Sequence, residues 1–507
     1  MRGPAGSQSS LTSQAFWLLS AKTLGFAFSV FIPLCLVRVL PRFDFGLYKQ
    51  AFLISGSAQS LLLLGVGMSA FYYLPREKDR QRQVVLNVVL FNLGVGTLAF
   101  LILLLWPGIV ALILGGRELV GYAPWIGLAI LTAIFSSFLE MVATAHQEVH
   151  YSTVFIVAAQ ITKSLFMVGA ALLFRSVQAL LVAAVLQSLI QSAVLVWYLQ
   201  SRFPRFWSAF DWPMFRAQMA YAIPLGFAGV IYALLMDLHN YFVSNAFGPA
   251  ALAIYAVGCV QLPVMGLLRE SAGAVLIPRA SHLEQRGARR EIALLTFRVM
   301  RKLAIIYLPV YMFLLVSGRE FLIVLFTRQY LDSWPIFVVN LTFLPLNIIS
   351  YDHIIRAFAR ERYFLLVLRI ASLAGLVAAL WAGIAWFGML GAILAVVLIG
   401  FIERVAISWR VVGILEIKLA DLRLLADIGK LAALSLVAAL VTVLARSACG
   451  GMKPLPLLTV SGFVFAVAYV AGLFAASLFT PDERTLMHDQ WGHLKSLLGL
   501  SGAPRRG

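Results

Sequence analysis

The chain has 507 residues, 61% of them hydrophobic and 12% charged, and its mean hydropathy is +0.91. A soluble fold of that length has no core large enough to hide so much apolar side chain, so the composition excludes a soluble protein and requires a bilayer. The net charge of +18 would suit nucleic acid, but the basic residues gather in loops on one side of the predicted spans, which accounts for the charge without such a partner.

Taken in order, the first 14 residues are short, polar and rich in Gly and Ser. The segment after them is too long for a signal-peptide core and has no cleavage pattern, so it is read as the first permanent helix. Fourteen segments are long enough to cross about 30 Å of hydrocarbon: 15–38, 46–73, 84–106, 119–144, 152–174, 177–199, 217–246, 250–277, 300–325, 335–358, 363–387, 389–411, 430–446 and 456–479. With the N-terminus in the cytoplasm, Arg76, Lys78, Arg80 and Arg82 share one inner loop, and Arg279, Arg286, Arg289, Arg290, Arg298, Arg301 and Lys302 lie in another. Both termini are then cytoplasmic. The outer loops are all short and none has the length of a domain.

Two stretches are written twice. Leu40-Pro41-Arg42-Phe43-Asp44-Phe45-Gly46-Leu47-Tyr48 joins the first two segments, which close on Leu74-Pro75-Arg76. The joint from Phe247 through Pro249 to Tyr255, with its exit at Ile277-Pro278-Arg279, is a diverged copy. Glu140 stands eleven residues before Tyr151, and Asp352 stands eleven before Tyr363. The offset of roughly two hundred residues divides the chain into lobes 1–206 and 207–412 with an extension 413–507, and internal repeats in a membrane protein favour a transporter.

Connections 201–217 and 413–429 are the longest, and both fit short amphipathic helices on the inner membrane face or simple basic linkers. Cys35, Cys259 and Cys449 form no disulfide or metal pattern. Asp482, Glu483, His488, Asp489 and His493 lack ligand spacing, so the tail is read as solvated and no metal site is expected.

The chemistry lies in charges left within the spans, where an ionised side chain costs about 2.5–3.5 kcal/mol on insertion scales and so tends to face a cavity or a partner. The cations are Lys22, Lys49, Lys163, Arg269, Arg369 and Arg404; the acids are Glu140, Asp237, Glu270, Asp352 and Glu403. Lys22, Gly25, Ser29 and Pro33 share a stripe on the first helix, and Lys49, Gly56, Ser60 and Gly67 share one on the second. Lys49 lies near a helix end and could equally snorkel. Arg269, nine residues before Pro278, is roughly 13 Å deep at helical rise. Lys163 and Arg369 could face the cavity or pair with a neighbouring acid. Arg404, near a helix end, is read as structural. Glu140 and Asp352 suit gating or packing ion pairs, and Asp237 with Asn240 and Ser244 makes a polar face suited to a gate or a coupling ion.

The joint, the Leu-Pro-Arg exit and the cations on helices one, two and eight resemble the polysaccharide-transport branch of the multidrug/oligosaccharidyl-lipid/polysaccharide exporter superfamily. The likeness covers nearly the whole chain. It implies an all-α integral membrane protein of about 14 transmembrane helices: two six-helix repeats in a V-shaped bundle with a central cavity, plus two C-terminal helices of the kind that shape a lipid-tail groove in lipid II flippases. It further implies residence in the bacterial cytoplasmic (inner) membrane, a polyprenyl-diphosphate-linked oligosaccharide as cargo, and contact with membrane lipids and other polysaccharide-assembly membrane proteins. Matched to the family positions, Lys22, Lys49 and Arg269 would attract the diphosphate. Family members often carry Arg at the first two, and Lys offers a point charge without the bidentate fork.

Three readings follow. The first is a lipid-linked oligosaccharide flippase without enzymatic activity or cofactor; with no P-loop, ATP hydrolysis is not expected, and proton, sodium or membrane-potential coupling all stay open. The second is a cation-coupled multidrug antiporter of the same superfamily, which would hold a cavity richer in acids. The third, a membrane glycosyltransferase or ligase, needs an outer catalytic domain that the short loops do not supply.

Overall fold

The structure is a computed structural model that describes residues 25, 28, 30–208 and 210–478. It is all-helical there. Helix α1 (Val30–Val39) stops at Leu40 because Pro41 has no amide to donate and pushes its predecessor out of the helical region. Helix α2 (Arg42–Leu62) then breaks at Leu64 and Gly65, both at positive φ, before α3 (Ser69–Tyr73), with a bend of 49°. The second-helix stripe is therefore interrupted: Gly67 lies beyond the break, buried against Met141 and Phe138.

The next elements are α4 (Gln81–Leu105), α5 (Ile109–Leu114), α6 (Ala123–Ser136), α7 (Phe138–Ala145), α8 (Val149–Phe174) and α9 (Val177–Arg202). Connection 201–217, read as a short amphipathic helix or a basic linker, forms no separate α-helix among the described residues. It holds one 3-10 turn, Phe206–Ser208, and Phe203 and Phe206 are buried in the core, which pulls the segment inward.

Helix α10 (Trp212–Gly258) and α16 (Arg362–Leu415) are continuous only in backbone pattern. The His239 and Tyr255 side chains meet at 2.8 Å, whereas sixteen residues of straight helix would part them by about 24 Å. The chain folds back at Gly248, whose φ of 79° only glycine adopts readily. In α16 the fold-back is at Gly388, and Gly383 and Gly391 lie backbone to backbone across it.

Between these hairpins come α11 (Pro263–Gln285), α12 (Arg289–Phe326), α13 (Trp334–Leu341), α14 (Phe343–Asn347) and α15 (Tyr351–Ala357). Two expected continuous spans are broken here. Segment 250–277 parts at Val260–Leu262, because Pro263 holds Leu262 extended, and segment 335–358 bends by 48° ahead of Tyr351. The expected exit at Pro278 is absent, since α11 runs through that proline to Gln285. Helices α17 (Ala426–Ala448) and α18 (Pro454–Ala475) close the described chain. The linker before them, read as a short amphipathic helix or a basic linker, holds a seven-residue 3-10 helix, Leu419–Leu425. Arg290 and the Lys418 amide hold the Asp421 carboxyl there below the usual carboxylate range.

Among the described residues, nine helices are long and apolar enough to cross a membrane, or eleven if each bent pair is one span. Helix α11 is not one of them; Arg269, Glu270 and Arg279 interrupt its apolar run. Helices α2 and α10 pack side by side, and glycines set their distance: a Cβ on Gly46 would sit 2.0 Å from the Pro249 carbonyl oxygen, and one on Gly226 1.9 Å from that of Leu64. Gln50 Nε2 donates to Ser244 Oγ at 2.7 Å across the same contact, and buried Gln218 joins Asn87, Ser69 and the Val84 carbonyl. Helices α17 and α18 dock on α12, where Arg446 meets Glu320 at 2.8 Å and Arg301 meets Asp427 at 3.4 Å.

Candidate functional site

A cavity of about 790 Å³ opens between α2, both arms of the α10 hairpin, α11, the broken run α13–α15 and both arms of α16. The breaks make it. Where α11 parts from α10, the freed Val260 carbonyl accepts from Asn340 Nδ2 at 3.1 Å. Where α14 ends, Arg404 donates through Nε to the Leu346 carbonyl at 3.0 Å and through Nη2 to Asn347. Irregular backbone at membrane depth is tolerated only where protein or a polar cavity satisfies it, and these two side chains do so at the cavity wall.

The wall carries five cations, Lys49, Arg269, Arg356, Arg369 and Arg404, against three carboxylates, Asp237, Asp352 and Glu403. Lys49 is held on α2 by its own turn: its Nζ lies 5.4 Å from the Phe45 ring centre and 5.8 Å from that of Tyr48. Neither Lys49 nor Arg269 pairs with a carboxylate among the described residues. Arg369 pairs with Glu403 at 3.0 Å and lies 5.4 Å from the Tyr232 ring centre. Asp352 sits 3.8 Å from Arg356 and 3.9 Å from His353. Asp237 accepts from Ser57 Oγ at 3.2 Å.

The residues singled out by sequence separate accordingly. Lys49, Arg269, Arg369, Asp237 and Asp352 line one cavity. Lys163 and Glu140 do not: α8 and α7 contribute nothing to its wall, Lys163 is half-buried on α8, and Glu140 is exposed on α7. The polar face of α10 is split, because Asp237 and Asn240 face the cavity while Ser244 is consumed by Gln50. Arg404 is structural, as expected, yet its guanidinium also borders the cavity. Lys22 and the tail residues Asp482, Glu483, His488, Asp489 and His493 lie outside the described residues. Among the described residues no group of three His, Cys, Asp or Glu is placed to hold a metal.

Sequence reasoning missed Arg356, although its spacing of four from Asp352 puts both on one helical face. It also missed Asn340 and Asn347, whose role exists only because the helices around them break.

Residues 35–335 match the family model described as "Polysaccharide biosynthesis protein". No curated protein matches the chain. Among solved structures, "Lipid II flippase MurJ, inward closed conformation" superposes with a TM-score of 0.70 at 12% identity, over 91% of this chain and 99% of that one. An outward-facing multidrug resistance MATE family transporter of the MOP superfamily gives 0.55 at 15% identity, over 81% and 97%. A MOP superfamily transporter from Pyrococcus furiosus, described as having a binding pocket of reverse polarity, gives 0.55 at 14%, over 82% and 100%. At such identities the likeness concerns the fold.

Proposed function

The chain belongs to the polysaccharide biosynthesis protein family, and from that premise we propose that it flips a polyprenyl-diphosphate-linked oligosaccharide across the bacterial inner membrane by alternating access. A multi-pass, flippase-like transporter with the fold of the MOP superfamily is the frame. The finer reading has fourteen spans in two six-helix lobes, 1–206 and 207–412, with both termini cytoplasmic; the α16 hairpin supports it, since residues 362–387 and 389–415 are each long enough for one span. The observation that carries the cargo is the pair Lys49 and Arg269, which line one cavity and pair with no carboxylate among the described residues. The diphosphate is the part of such a lipid that most resists crossing, and fixed cations in a low-dielectric wall offset its desolvation. Lys22 belongs to the same proposed set by its family position.

An organic-cation antiporter would need the opposite balance, and cations outnumber carboxylates five to three in this wall. The test is transbilayer movement of a fluorescent polyprenyl-diphosphate sugar in proteoliposomes. Lys49→Ala and Arg269→Ala should each slow it by about tenfold or more, from the loss of a charge-assisted contact. Exchange of organic cations, with no movement of the lipid by the parent, would overturn the assignment.

A further inference from the structure

We propose that Glu403 is a built-in competitor of the substrate: it holds Arg369 while the cavity is empty, yields it to the incoming diphosphate, and retakes it to drive release. The inference rests on reading the cavity as a diphosphate site and adds to that reading a residue that sets release.

The Arg369–Glu403 contact is an under-made ion pair. Nη1 comes to 3.0 Å from Oε1, yet that oxygen is buried without a properly directed hydrogen bond. Guanidinium offers five donors in a fork that suits a two-oxygen acceptor. Further along the same hairpin Arg410 and Glu361 make the complete version, Nε to Oε2 at 2.8 Å and Nη2 to Oε1 at 3.0 Å, and that pair does not border the cavity. The Arg369–Glu403 pair stands in the cavity wall.

The other arginines are committed differently. Arg404 spends its nitrogens on the Leu346 and Gly400 carbonyls and on Asn347. Arg356 leans on Asp352. Arg356 and Asp352 also stand in the wall, 3.8 Å apart, but Arg356 is 48% exposed there, whereas Arg369 and Glu403 are 19% and 12% exposed; Arg369 thus combines a cavity position with a buried partner that another anion can replace on better terms, and its guanidinium lies 5.4 Å from the Tyr232 ring centre. Once displaced, Glu403 remains within electrostatic reach of Arg404 and Arg356. Among the described residues the wall carries five cations and three carboxylates, an excess of two that the two charges of a diphosphate diester would match with Glu403 still ionised.

A resident carboxylate weakens substrate binding and speeds release, so removing it should move affinity and turnover in opposite directions. The experiment measures binding and flipping of a polyprenyl-diphosphate sugar by the full chain and by Glu403→Gln, with Arg369→Gln and the double variant beside them. Glu403→Gln should bind about tenfold more tightly and flip more slowly. In the Arg369→Gln background it should have no effect on binding. A merely structural Glu403 would lower binding and turnover together, and that result overturns the proposal, as does an unchanged Kd. If the parent binds no such lipid, the diphosphate reading itself falls; if the parent binds it and the variant behaves like the parent, only the competitor does. Titrating the parent in buffers of different ionisation enthalpy tests the charge balance without any variant, and proton uptake on binding would overturn that part.

Discussion

At the scale of single residues, charge in this membrane interior divides by what each head group touches. Arg404 and Lys49 border the same cavity, but one bonds to backbone and the other lies against aromatic rings with no carboxylate partner among the described residues. Arg404→Ala leaves the Leu346 carbonyl without that donor, a loss of about 1–3 kcal/mol, and should lower the melting temperature of the purified protein. Lys49→Ala should leave melting unchanged while transport falls. Equal destabilisation in both variants would refute this division. Sequence supplied the list of buried charges, because an ionised residue inside an apolar run is visible without a structure. It left open which of them share a cavity, since Lys163 and Arg369 have the same type of setting in the sequence and different neighbours in space.

At the scale of elements, prolines and glycines decide where helices stop, part and approach. Pro41 ends α1 as its chemistry requires; at the repeated hydrophobic-Pro-Arg exit, α3 stops at Tyr73 just ahead of Pro75, while Pro278 is carried inside α11, so the exit ends a helix only in the first copy. Glycine does the corresponding work between helices. Gly226 lets the broken end of α2 lie on α10, and Gly229, one turn on, has open space where a Cβ would be. Gly226→Ala should therefore destabilise the protein and lower its yield, and Gly229→Ala should be neutral or slightly stabilising through better helix propensity. Thermal melting of the two variants compares them directly, and equal melting temperatures would mean that the close α2–α10 approach is not under constraint.

At the scale of the whole molecule, α2 and α10 form the long seam between the two proposed lobes, bridged by Gln50–Ser244 at 2.7 Å and Ser57–Asp237 at 3.2 Å. Alternating access requires part of that seam to open. A disulfide engineered through Gln50→Cys and Ser244→Cys should stop flipping in proteoliposomes, and a reductant should restore it. Undiminished flipping by the fully cross-linked protein would show that this part of the seam stays shut through the cycle. The pair α17–α18, tied to α12 by Arg446–Glu320 and Arg301–Asp427, should move with that helix.

By itself the sequence determined that this is a helical membrane protein, roughly where its spans lie, and which charges stand within them. Those properties are set by hydropathy and by local backbone chemistry, which act over a few turns. Only the tertiary structure decided that two spans are broken at the cavity, that α10 and α16 fold back on themselves, and that Arg356 and Glu403 join Lys49 and Arg269 around one space. These depend on contacts between residues tens to hundreds of positions apart, where the partner that satisfies a freed carbonyl or a buried charge is chosen by packing and leaves no periodic trace in the chain.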